Sequence, residues 1–78
     1  MNIYIRNLCE DFAENELLDL FVCFGTVSST KILKNKSNGK GLGTGLVIMR
    51  NIADAKNAIK ELNNIHIRGR MISVSGSD

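Results

Sequence analysis

Apolar and polar residues alternate at the start of the chain and at three later places. In "NIYIRN", residues 2–7, Ile3 and Ile5 fall on one side while Tyr4 and Arg6 fall on the other. The same two-residue period is found in "TVSSTKILK" (26–34), "GTGLVIMR" (43–50) and "MISVS" (71–75). Because side chains of a strand point alternately to the two faces of a sheet, each stretch predicts a half-buried strand.

Two further stretches place apolar residues at helical spacing. They are "ENELLDLFVCFG" (14–25) and "NIADAKNAIKEL" (51–62), each with a single apolar stripe. Asn51 is suited to cap the second helix, whereas Ala13 leaves the start of the first helix poorly marked. The order βαββαβ predicts an α+β, ferredoxin-like fold in which both helices cover one face of a four-stranded antiparallel sheet. The other face is open, and we expect function there.

The length of the chain, 78 residues, predicts a single domain over residues 1–78. No apolar run approaches the roughly 20 residues that are needed to cross a bilayer. The N-terminus also lacks the basic and apolar regions of a signal peptide. We therefore expect a cytoplasmic protein that has no contact with a membrane.

The net charge of +2 is too small to indicate a nucleic-acid partner, but the charges are segregated along the chain. Residues 10–19 include five acidic and no basic residues, and residues 20–53 include five basic and no acidic residues. By alternation, Arg6, Lys31 and Arg50 share the open face with Tyr4. Lys36 and Lys40 lie on the loop between the second and third strands. Basic side chains at these places are suited to contact phosphates.

Two strand sequences resemble the signatures of a known family, the RNA recognition motif. "IYIRNL" (3–8) is similar to the hexamer of its first strand, and "LGTGLVIM" (42–49) to the octamer of its third strand. Further landmarks are "FG" (24–25), "AIKELN" (58–63) and "GRMISV" (69–74). The chain most closely resembles the small stand-alone members found in bacteria. The resemblance implies that single-stranded RNA is bound on the open face of the sheet.

The octamer departs from the family pattern at the positions that contact RNA. The family has a basic residue first and aromatic residues third and fifth, where this chain has Leu42, Thr44 and Leu46. Tyr4 of the hexamer remains as a stacking residue, and each lost stack removes roughly 1–3 kcal/mol. We therefore expect weak binding of RNA. The predicted RNA-binding residues are Tyr4, Arg6, Lys31, Lys40, Leu42, Thr44, Leu46 and Arg50.

Aliphatic residues on the same face leave an alternative open. Leu33, Leu46, Ile48 and Met71 all have the parity of the open face. An exposed apolar patch of this kind usually marks an interaction surface. The alternative is therefore a module that binds a protein partner or forms a homodimer through this face.

The sequence offers little for catalysis or for a metal. No serine–histidine–acid or cysteine–histidine arrangement is supported by its context, and "GKGLGTG" lacks the spacing of a phosphate-binding loop. The spacing of Cys9 and Cys23 matches no metal or redox motif. We expect no enzymatic activity, no metal and no cofactor.

Overall fold

A computed structural model of the protein describes residues 1–77. Its elements are β1 (Asn2–Arg6), α1 (Glu14–Val22), β2 (Ser29–Lys34), β3 (Gly41–Ile48), α2 (Ile52–Leu62), β4 (His66–Ile67), β5 (Arg70–Met71) and β6 (Ser73–Ser77). Four strands form an antiparallel sheet in the order β2–β3–β1–β6, while β4 and β5 form a separate hairpin. The predicted ferredoxin-like fold is confirmed, with the small hairpin as an addition.

The hydrophobic core lies between the helices and one face of the sheet. Its fully buried large side chains are Ile3, Ile5, Leu17, Phe21, Val47, Met49 and Ile72. Ala55 and Ala58 of α2 are also buried, and their small side chains allow the helix to lie close to the sheet. None of the helices within residues 1–77 is long and apolar enough to span a membrane. The face of the sheet opposite the helices stays open.

The starts of the two helices are capped in different ways. The side-chain oxygen of Asn51 accepts a hydrogen bond from the backbone N–H of Asp54 at 3.0 Å, as the sequence predicts. At α1 the backbone N–H of Ala13 donates instead to Oε1 of Glu16, at 3.2 Å. Glu16, the third residue of α1, therefore marks the start of the helix. The expectation of a poorly marked start was based on Ala13 alone and did not consider Glu16.

The first helix is shorter than predicted. It ends at Val22, and its predicted end at Gly25 is wrong by one turn. The backbone N–H groups of Phe24 and Gly25 donate to carbonyls three residues earlier, which are those of Phe21 and Val22. The chain thus leaves the helix through a tightened turn, as is common at helix ends.

The strand β3 contains a bulge opposite β2. Ile32 pairs with Gly45 and Lys34 pairs with Gly41, so residues 42–44 lie opposite Leu33 alone. Gly43 has φ +81°, and a Cβ there would lie 3.1 Å from the carbonyl oxygen of Leu8. Glycine satisfies both requirements, and a bulge of this kind bends the strand. The bulge lets β3 begin at Gly41, two residues earlier than the alternation predicted.

The last strand of the sheet is displaced from the predicted stretch 71–75. It runs over Ser73–Ser77, whereas Arg70 and Met71 pair with Ile67 and His66 in the hairpin. The turn between β4 and β5 has φ +51° at Arg68 and +79° at Gly69, the combination that a tight two-residue hairpin requires. This hairpin places the side chains of residues 68 and 70 at the end of the sheet.

Candidate nucleic-acid interface

A row of four side chains crosses the middle of the open face. Tyr4 pairs with Leu46 on one side and with Ser75 on the other, and Leu46 in turn pairs with Lys31. Tyr4 and Leu46 are half-buried, while Lys31 and Ser75 at the edges are exposed. Directly paired side chains lie about 4.5–5.5 Å apart at Cβ. The aromatic ring therefore has an aliphatic neighbour, a hydroxyl and a cation within reach of one nucleotide.

A second row lies one step along the same face. Arg6 pairs with Thr44 on one side and with Ser73 on the other. The sequence predicted Arg6 and Thr44 for the site but missed Ser73 and Ser75. A signal for them was present, since both alternate with the buried Val74. Their hydroxyls can donate to or accept from the edge of a base.

Beyond the second row the end of the sheet forms an open depression of about 490 Å³. It is lined by Arg6, Asn7, Leu8, Glu10, Gly41, Leu42, Gly43, Thr44 and Arg70. The structure thus brings the predicted residues Arg6, Leu42 and Thr44 to one place. It adds Asn7 and Arg70, which the sequence did not indicate because their proximity depends on the β4–β5 hairpin.

The predicted cations differ in their surroundings. Nζ of Lys40 lies 3.7 Å from Oε1 of Glu10, so a carboxylate partly offsets this charge. Arg6, Lys31 and Arg50 take part in no ion pair within the described residues 1–77. Arg50 follows the buried Met49 past the end of β3, so it lies at the opposite end of the sheet from Arg6. The cations therefore surround the face and do not form one cluster.

Arg68 connects the β4–β5 hairpin to the segment between β1 and α1. Its guanidinium donates to the Cys9 thiol at 3.4 Å, to Asp11 at 3.3 Å and to Glu16, and lies 5.4 Å from the centre of the Phe12 ring. The pKa of Asp11 is lowered, chiefly by a hydrogen bond with Cys9. A hydrogen bond with the backbone of Asp11 and the charge of Arg68 lower it further. Hydrogen bonds with Cys9 and Glu16 raise the pKa of Arg68. Both directions agree with the contacts that join the hairpin to this segment.

Known proteins share both the signatures and the sheet that carries this face. The family model of the RNA recognition motif matches residues 3–73. The chain belongs to the RNA recognition motif family. It is 34% identical over 73 residues to polyadenylate-binding protein 6 of Arabidopsis thaliana, a match that covers 94% of this chain and 13% of that protein. The chain thus corresponds to a small part of this relative.

Solved structures of RNA recognition motif proteins superpose on the whole fold. The crystal structure of RNA binding protein PG1 is 35% identical, with a TM-score of 0.92 over 96% of this chain and 90% of that chain. The Sxl-lethal protein/RNA complex is 29% identical, with a TM-score of 0.89 over 95% of this chain and 46% of that chain. The latter structure is a complex with RNA.

The aliphatic residues of this RNA recognition motif do not form one patch. Leu33 on β2 lies opposite residues 42–44 of β3, one step along from Leu46, whereas Ile48 pairs with Ser29 at the start of β2. Met71 lies in the hairpin past the other edge of the sheet, with the row of Arg6 between them. The predicted patch of four is therefore not formed: Met71 lies apart, and Leu33 and Ile48 lie on opposite sides of Leu46.

Proposed function

We propose that this RNA recognition motif binds single-stranded RNA across the open face of its sheet. The observation that carries the proposal is the row Lys31–Leu46–Tyr4–Ser75. A base stacked on Tyr4 would cover Leu46 on one side and meet the Ser75 hydroxyl on the other. Lys31 at the edge would then contact the backbone phosphate. The family and the neighbour in complex with RNA support this reading.

The affinity is expected to be low. Thr44 and Leu46 occupy the positions where the family has two stacking aromatics. Their absence removes about 2–6 kcal/mol of stacking free energy, at roughly 1–3 kcal/mol for each ring. Leucine still excludes water from a base but offers no π face. The hydroxyls of Thr44, Ser73 and Ser75 give a modest preference among bases rather than a strict code.

Oligoadenylate is the first RNA to test, with an RNA of mixed sequence for comparison. The reason is that a relative 34% identical to this chain is named as a polyadenylate-binding protein. Tighter binding of oligoadenylate would indicate that the preference of the relative extends to this chain. Equal affinities would indicate that the sheet recognises single strands without regard to adenine.

The affinity is expected to fall steeply as salt increases. Phosphate contacts release counterions, at a log–log slope of roughly −0.7 for each contact with a single strand. The candidate cations are Arg6, Lys31, Lys36, Lys40 and Arg50. A slope of about −3 to −4 is expected if all of them take part, and a smaller one if Glu10 holds Lys40 away from the RNA. Fluorescence anisotropy titrations at several salt concentrations measure the slope, and a slope of zero contradicts the proposal.

A second copy of the chain is the competing occupant of the same face. Leu33 is 41% exposed and lies one step along from Leu46, which favours an apolar contact at this side of the sheet. Sedimentation at high protein concentration shows whether a second copy occupies the face. If the face forms a homodimer, Leu46→Glu should give monomers that remain folded, because position 46 lies outside the core. A wild-type protein that sediments as a monomer excludes this alternative.

A further inference from the structure

The depression at the end of the sheet lacks the cation that the family usually places in the octamer. Leu42 occupies the first octamer position, where the family has lysine or arginine, and is 59% exposed. Arg70 lines the same depression from β5, together with Arg6 from β1. A guanidinium is therefore present where the octamer itself supplies only an aliphatic side chain.

The guanidinium of Arg70 is fixed by acceptors that carry no charge. Its Nε donates to the backbone oxygen of Asn7 at 3.1 Å, and its Nη2 donates to Oδ1 of Asn7 at 2.7 Å. These bonds use two of the five N–H donors of an arginine and leave three for a ligand. Arg70 and Arg6 form no ion pair within residues 1–77. The carboxylate that lines the depression, that of Glu10, lies beside Lys40.

Asn7 links the end of β1 to both residues of β5. Its φ of +67° lies in the left-handed region, which asparagine tolerates better than most residues. Its side-chain nitrogen donates to the backbone oxygen of Met71 at 2.8 Å, so the amide joins β5 to the end of β1. The guanidinium is thus oriented before any ligand arrives, and little conformational entropy remains to be lost on binding.

We propose that Arg70 and Arg6 bind one phosphodiester group of the RNA in this depression, with Asn7 as the residue that positions Arg70. Arginine is suited to this role because its planar fork matches two oxygens of a phosphate. The inference rests on the proposed function, since it concerns the same RNA. It adds Arg70, a residue outside both strand signatures, as a partner of Arg6 from the hexamer.

Removal of the Arg70 guanidinium tests the site directly. Arg70→Ala is expected to weaken oligoadenylate binding about tenfold, as for loss of a hydrogen bond to a charged group, and to reduce the salt slope by about 0.7. Lys56→Ala is the matched control: it removes the same charge from an exposed position of α2, on the other side of the sheet. This control should change neither the affinity for oligoadenylate nor the salt slope. Arg70→Lys should keep the slope but recover only part of the affinity.

The role of Asn7 is tested by a double-mutant cycle. Asn7→Gly keeps the positive φ but removes the amide that orients the guanidinium. It should weaken binding in the wild-type background and have no further effect when Arg70 is already alanine. Equal loss of affinity in both backgrounds would show that Asn7 does not act through Arg70.

A scan of the RNA distinguishes a phosphate contact from a change in folding. Phosphates are replaced singly by uncharged methylphosphonates, and one position should weaken binding to the wild type more than to Arg70→Ala, in which Arg6 alone still contacts that phosphate. If no position differs between the two proteins, and Arg70→Ala binds like Lys56→Ala, the inference is wrong while the proposed function stands. If the wild type binds neither oligoadenylate nor mixed RNA at low salt, both are wrong.

Discussion

Replacing Thr44 with tyrosine and Leu46 with phenylalanine is expected to tighten RNA binding about five- to a hundredfold or more. This range corresponds to one recovered stack of roughly 1–3 kcal/mol, and two stacks would give more. Both side chains point away from the core, since they alternate with the buried Gly45 and Val47. Position 46 pairs directly with Tyr4, and position 44 lies one step along beside Arg6. The new rings would therefore extend the existing surface.

The two single variants show which of the two added rings contacts RNA. Leu46→Phe places its ring against Tyr4, where the two rings can pack on each other as well as on a base. Thr44→Tyr places its ring beside Arg6, where there is no other ring to pack on, so its effect is easier to assign to contact with a base. Val22→Phe serves as the control, because it adds a ring at a position of α1 that is 51% exposed on the helix side. If the double variant keeps its thermal stability and binds no better than this control, the sheet face does not contact bases.

The alternation of side chains was sufficient to predict the open face. Tyr4 and Leu46 face it because each stands between two buried neighbours on a central strand, and Arg6 and Thr44 lie two residues from them on the same strands. This information is local, and a period of two residues is preserved along a strand whatever its partners are. That β1 and β3 are neighbours follows from the strand order β2–β3–β1–β6, which alternation alone does not contain.

The parts that the sequence did not predict depend on contacts between distant residues. Met71 alternates correctly with Ile72 and Val74, so the pattern could not show that residues 70 and 71 pair with β4 instead of joining the sheet. The position of Arg70 depends on that hairpin. The pairing of Lys40 with Glu10 likewise joins two segments that are separate in sequence. Local periodicity contains no information about such pairings.

Replacing Tyr4 with alanine is expected to weaken RNA binding by roughly 1–3 kcal/mol, about five- to a hundredfold. Tyr4 is half-buried at the centre of the face and pairs with Leu46 and Ser75, neither of which offers an aromatic surface. It is the one aromatic residue on this face within residues 1–77, since Phe12 and Phe21 are buried in the core and Phe24 packs against it. No neighbouring ring can take over its contact.

Tyr4→Phe separates stacking from hydrogen bonding in the same titration. The phenylalanine variant keeps the ring and removes only the hydroxyl, so it should bind RNA close to the wild-type affinity if stacking dominates. Equal losses in the alanine and phenylalanine variants would assign the contact to the hydroxyl. Unchanged affinity in both variants, with thermal unfolding also unchanged, would mean that bases do not reach the centre of the sheet. The binding site would then have to lie at its rim, where Lys31, Arg50 and Arg70 are placed.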